Sequence, residues 1–227
     1  MDYYRVSNTK FENLKDFSFN PHYVDVNGLR MHYVDEGPEE ANPILMLHGE
    51  PSWCYLYRHM IPVCAAAGHR VIVPDLIGFG KSDKPKKIKH YSYQTHMDWM
   101  KSFVQSLDLR EIILVCQDWG SLIGLRLAAE NEPRFAGVVV GNGMLPTGDQ
   151  KIPKTFKLWK NFALLSPWFP IDRIINSGCF RELDEEEKRA YRAPFPSSKF
   201  KAGARAFPKL VPVTPDDPAT DANRKAW

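Results

Sequence analysis

Several features are scarce in this sequence, and each scarcity excludes something. No apolar run approaches the roughly 20 residues that span a bilayer. The opening residues MDYYRVSNTKFENLKDF lack the basic-then-apolar order of a secretory signal. Both point to a cytoplasmic protein with no membrane partner. The four cysteines, Cys54, Cys64, Cys116 and Cys179, show neither CxxC nor zinc-ligand spacing. Three of them sit in apolar stretches, where a thiol behaves as a small hydrophobe, so neither a metal nor a disulfide is expected. An excess of one charge is missing too: 30 basic against 27 acidic residues leave a formal net charge of +3. The one dense stretch, Lys81 to Lys89, mixes lysine with proline and aspartate and reads as a solvated loop, so nucleic acid is not an expected partner.

What is present is an ordinary globular composition, 44% hydrophobic and 25% charged over 227 residues, enough for one large domain or a domain with an insertion. HYVDVNG and LRMHYVDEG flank the dipeptide Asn27-Gly28, a strong hairpin signal, so the sheet opens with an antiparallel pair. PILMLHG (43–49) and HRVIVPD (69–75) are continuously apolar, as buried parallel strands are, with a crossover helix expected between Trp53 and Ala67. A helix over about 92–107, the strand EIILVCQ, a helix from Trp119 to about Asn131 and the strand AGVVVGN continue the alternation. This pattern predicts an α/β fold with a mostly parallel sheet and helices on both faces.

At Met144 the character changes. From Leu145 to Val213 the chain is rich in proline, lysine and aromatics, with helical pieces FKLWKNFALL and ELDEEEKRAYR and no strand signal. This segment is expected to form a helical cap over the carboxyl ends of the strands, where ligands bind in such sheets. The expected division is a core over 1–144, a cap over 145–213 and a return toward the core over 214–227.

The chemistry concentrates in VCQDWGSLIGLRLA, an apolar strand, a sharp turn at Asp118 and a helix that starts at once. This is the pattern of a nucleophile elbow, with Cys116 and Gly120 as the small neighbours and aspartate as the nucleophile. A carboxylate there meets the positive end of the helix dipole, which favours its ionised form. The plainer alternative is a helix N-cap, where aspartate is common. A second turn, His48-Gly49-Glu50-Pro51, follows its own strand at the same sheet end, so the backbone N–H groups of Glu50 and Trp119 can converge as an oxyanion hole.

HGEPSWCYLYR, PDLIGFGKSDKP, VCQDWGS and GNGMLPTGD together resemble the haloalkane dehalogenases of the α/β-hydrolase fold, from about His22 through AYRAPFP. The resemblance implies Asp118 as the nucleophile and Trp119 as one halide-binding indole. Glu50 and Trp119 would be the backbone oxyanion hole, and a second halide-binding tryptophan would come from the cap. Trp159 matches that position and Trp168 is the fallback. It further implies a small halogenated substrate, a halide product, no cofactor and a monomer. A carboxylate oxygen would displace halide to give an alkyl ester, which water then hydrolyses with the help of a general base.

That base is expected late in the chain, yet all seven histidines precede Asp118, and GNGMLP carries no carboxylate for an acid partner. A C-terminally shortened chain that forms the ester and hydrolyses it poorly is the expectation. Two rivals stay open. One is an epoxide hydrolase, with Tyr191 as a cap tyrosine, although Gln117 stands where those enzymes usually carry histidine. The other is a non-catalytic ligand-binding fragment.

Overall fold

A computed structural model describes residues 1–151 and 153–227. In chain order its strands and helices are β1 (Tyr3–Tyr4), β2 (His22–Val26), β3 (Leu29–Glu36), β4 (Pro43–Leu47), α1 (Met60–Ala66), β5 (Arg70–Pro74), β6 (Lys84–Pro85), α2 (Tyr93–Ser106), β7 (Ile112–Gln117), α3 (Trp119–Glu130) and β8 (Phe135–Gly141), followed by α4 (Lys154–Leu165), α5 (Ile171–Ser177), α6 (Glu185–Arg192), α7 (Ala202–Leu210) and α8 (Thr220–Ala226). The main sheet has the order β2-β3-β5-β4-β7-β8. β2, β3 and β5 pair antiparallel in turn, whereas β5, β4, β7 and β8 run parallel. β1 and β6 form a separate two-residue ladder that the sequence pattern does not announce.

Strand side chains alternate between two cores, as the two-residue period requires. Leu45 and Leu47 of β4, with Leu114 of β7, face α2, α3 and the cap. Ile44 and Met46, with Val71 and Val73 of β5, face α1 and the N-terminal aromatics Phe11 and Phe17. Both faces of the parallel part are thus covered, which is why these strands read as unbroken apolar runs. β8 is different. It forms one edge of the sheet, and the consecutive residues Val138, Val139 and Val140 are 45%, 55% and 44% exposed, so both of its faces are bare.

The crossover between β4 and β5 is less helical than expected. A 3₁₀ turn over Cys54–Tyr57 comes first and α1 starts only at Met60. The turn is held by a tertiary bond, from Cys54 N–H to Asp75 Oδ1 at 2.8 Å, which side-chain periodicity cannot announce. α2 and α6 begin where capping chemistry dictates, with reciprocal boxes at Ser92–Thr95 and Asp184–Glu187. Helices α4 to α7 fall within the cap segment, and α4 packs on α7. The last helix, α8, packs on α3, with Asn223 donating to the Pro146 carbonyl at 2.8 Å.

The Lys81–Lys89 stretch is not a solvated loop. Ser82, Asp83 and Lys84 are buried, and the Lys84 ammonium donates to the carbonyls of Phe79, Gly80 and Ser82 at 3.0, 2.6 and 3.0 Å. Asp83 accepts a bidentate bond from Arg5 and a backbone bond from Arg30. Composition registers the charges of such a segment but not the partners that other parts of the chain supply. Replacing Lys84 by methionine leaves three carbonyls without their donor. It is expected to cost about 3 kcal/mol or more, read as a lower urea midpoint at unchanged slope.

Candidate active site

Two turns build the site, and sheet order brings them together. β4 and β7 are neighbours with Leu47 opposite Cys116, so the chain leaves both strands at one level, into His48–Pro51 and into Asp118. Asp118 has φ 50° and ψ −125°, a region side-chain-bearing residues seldom occupy. Three bonds fix this strained turn: Asp118 N–H to the Asn142 carbonyl at 3.3 Å, Ser121 Oγ to the Asp118 carbonyl at 2.6 Å, and Met144 N–H to Ser121 Oγ at 2.9 Å. The close approach of α3 to β4 explains Gly120, where a Cβ would lie 2.0 Å from the Leu47 carbonyl oxygen. At Gly49 a Cβ would lie 2.5 Å from the Asp118 side chain.

Glu50 N–H donates to Asp118 Oδ1 at 2.7 Å. Burial pushes the Asp118 carboxyl above its ordinary value, opposed by the Trp119 and Glu50 N–H groups. The dipole argument therefore has the right sign, but desolvation outweighs it. No N-cap hydrogen bond is made by the Asp118 side chain, so the plain capping alternative does not describe it.

Asp118 opens onto a cavity of about 400 Å³ whose wall includes Glu50, Trp119, Leu122, Asn142, Phe156, Trp159 and Val211. Its lining is mostly apolar, from strand ends on one side and α4 and α7 on the other. The Trp119 ring stacks on Phe207 of α7, with centroids 4.3 Å apart, and the Trp159 ring packs near Phe162 and Phe169. Trp53 and Trp227 donate their indole N–H groups to backbone carbonyls. Among the described residues neither Trp119 nor Trp159 has such an acceptor, while both line the cavity. Trp168, the fallback, is 57% exposed and lies outside the cavity wall, with Arg173 over its ring.

Other sequence candidates fall elsewhere. Tyr191, the cap tyrosine weighed for an epoxide, is buried edge-on against Tyr55 in the opposite core and does not line the cavity. None of the seven histidines lines it either. His48 is locked between the Gly49 carbonyl and the Leu76 N–H and is pushed down in pKa by burial, and His96 is buried against Phe207. One trio, His32, Cys54 and Asp75, brings potential metal-ligating atoms within 4.8 Å of one another. Asp75 is already occupied by bonds from His32, Cys54 N–H and Lys81 N–H, and burial holds the Cys54 thiol protonated, so the trio reads as a structural network.

Sequence reasoning missed Asn142, Leu122 and Phe156. Phe156 lies one helical turn before Trp159, a spacing that could have marked it. The Glu50 side chain was missed as well, since only its backbone was assigned a part.

Comparison with known proteins agrees with this fold. The family model described as alpha/beta hydrolase fold matches residues 42–169. A haloalkane dehalogenase from Psychrobacter cryohalolentis is 55% identical over 98% of this chain and 75% of its own length. The chain belongs to the haloalkane dehalogenases. One from Mycobacterium marinum is 52% identical over 100% of the chain and 78% of its own length. A tetrameric haloalkane dehalogenase structure from Paraglaciecola agarilytica superposes with a TM-score of 0.95 at 36% identity, covering 100% of this chain and 77% of that one. Among the described residues no helix is long and apolar enough to cross a membrane.

The tight approach at Gly120 separates two glycines experimentally. Gly120→Ala is expected to lower stability by about 1–3 kcal/mol and to displace the elbow. Gly137→Ala, on β8 with nothing within 4 Å of its Cβ position, should stay within about 0.5 kcal/mol of the parent in thermal unfolding.

Proposed function

We propose that this chain removes halide from small haloalkanes through an alkyl ester on Asp118. The observation that carries the reading is the shared cavity: a carboxylate, two indoles without acceptors among the described residues and a mostly apolar wall. Oδ1 is held by Glu50 N–H, which leaves Oδ2 to attack carbon in line as the carbon–halogen bond breaks. The departing anion is received by the Trp119 and Trp159 indoles, whose N–H dipoles count for more in an apolar cavity than in water. Oδ1 then becomes the ester carbonyl oxygen. Its bond from Glu50 N–H, with Trp119 N–H, stabilises the oxyanion that forms when water adds. The indoles suit an anion that receives no proton, and no tyrosine lines the cavity, so the epoxide reading finds no support.

Within these 227 residues no histidine follows Asp118 and none lines the cavity, so ester hydrolysis by this polypeptide should be slow. Incubation with a short primary bromoalkane is expected to give one alkyl adduct on Asp118 by intact mass and about one bromide per molecule. Asp118→Asn should give neither. A folded protein that binds bromide, quenching its tryptophan fluorescence, without any adduct would replace this reading with a binding-only one. Trp159→Phe is expected to slow the bromide burst by roughly 10- to 100-fold, the worth of a charge-assisted hydrogen bond of about 1.5–3 kcal/mol. Trp168→Phe should leave it unchanged.

The burst also has a defined pH dependence. Asp118 attacks only when ionised, and burial raises its pKa. The burst should therefore fade on acidification at a higher pH than for an exposed aspartate, whose pKa is about 3.9. A burst that persists unchanged down to that value would contradict the assignment.

A further inference from the structure

The mechanism uses the Glu50 backbone, but the Glu50 side chain also lines the cavity. Its Oε1 is buried, and among the described residues it has no hydrogen-bond partner. A carboxylate in that position, beside a second carboxylate, would be an uncompensated buried charge. Of the residues lining this cavity, only Glu50 and Asp118 ionise. His48, on the same turn, has both ring nitrogens engaged in hydrogen bonds and burial disfavours its charged form. α3, α4, α7 and the segment after β8 contribute Leu122, Phe156, Pro208 and Met144, which carry no charge.

We propose that Glu50 carries the proton that leaves the protein when Asp118 is alkylated, so that the cavity keeps one negative charge, first on Asp118 and then on Glu50. This rests on the reading of Asp118 as the nucleophile. In the free protein Asp118 is the carboxylate and Glu50 the neutral acid. Attack forms the bond from Asp118 Oδ2 to carbon, and the electron pair of the carbon–halogen bond leaves with the halide. The ester is neutral. Once the halide has departed, the repulsion that kept Glu50 protonated is gone; its O–H bond breaks and the proton passes to solvent. The net change is haloalkane plus protein giving alkylated protein, halide and one proton, with charge balanced at each stage.

Burial raises the Glu50 pKa well above the ordinary value, and the Asp118 charge raises it further. Alkylation removes only the second contribution, so the pKa falls but stays elevated. Below this window Glu50 is protonated in both states and releases nothing, and any proton that appears there comes from the protonated fraction of Asp118 itself; above it Glu50 is ionised in both. Proton release should therefore rise and fall with pH.

The experiment mixes the full chain with a short primary bromoalkane in weak buffer containing a pH indicator, between about pH 5 and 10. It records protons and bromide within the first burst, while intact mass reports the adduct. The parent's ratio of protons to bromide, less that of Glu50→Gln, is expected to peak in the middle of the range and to fall toward zero at both ends. Glu50→Gln should give a ratio near zero wherever Asp118 is ionised, whatever the size of its burst. If that variant does not fold, infrared difference spectra of the parent serve instead, with loss of a protonated-carboxyl band on adduct formation expected within the same window. A ratio of zero throughout, with the adduct on Asp118, overturns the role of Glu50 and leaves the nucleophile intact. A Glu50→Gln ratio equal to the parent's also overturns it. Absence of both adduct and bromide overturns the nucleophile itself and the proposal with it.

Discussion

The 2.7 Å hydrogen bond from Glu50 N–H to Asp118 Oδ1 joins two turns that lie 68 residues apart, and most of the structure serves to make that bond possible. It needs β4 and β7 side by side and in parallel register, so that both chains emerge at one sheet end. It needs α3 close enough to β4 that only glycine fits at 120, and the elbow bent enough that Asp118 takes a positive φ. The conformational strain of one residue is over-determined by a bond from Ser121 Oγ and a bond to the Asn142 carbonyl, which is how a strained turn persists in a folded protein. Without the bond, the carboxylate would face an apolar cavity with one fewer donor and a higher pKa.

Around this bond the polar interior is arranged in a second tier. His48 fixes the turn that carries Glu50 by bridging Gly49 and Leu76. Asp75, at the end of β5, accepts from His32, from the turn after Trp53 and from the loop at Lys81, and the His32 and His48 rings beside it favour its ionised form. Lys84 binds three carbonyls of the same loop. These buried groups sit outside the cavity and take no part in the chemistry. Their satisfied bonds hold the loops at the carboxyl end of the sheet in one arrangement, which packing alone would leave less specific.

The cap contributes shape and two aromatic surfaces. Phe207 of α7 lies flat on Trp119, and α4 brings Phe156 and Trp159 to the cavity from the side opposite the strands. The result is a mostly apolar cavity in which a carboxylate is a better nucleophile and an indole a stronger anion ligand than either would be in water. Burial, with the Asp118 charge beside it, favours the neutral form of Glu50.

Much of this was legible in the sequence, because the relevant physics is local. Unbroken apolar runs mark strands buried on both faces, Asn27-Gly28 marks a hairpin, and a small residue, Asp118 and glycine between a strand and a helix mark the elbow. Tertiary structure alone decided the rest. The burial of Lys84, the shortening of α1, the presence of Trp159 and not Trp168 in the cavity wall and the position of Tyr191 outside it all depend on which distant groups meet. So does the isolation of the Glu50 carboxyl. A period in the sequence fixes which face a side chain takes, whereas a hydrogen-bond partner or a shared cavity comes from elements tens of residues away, and only the folded chain brings them within reach.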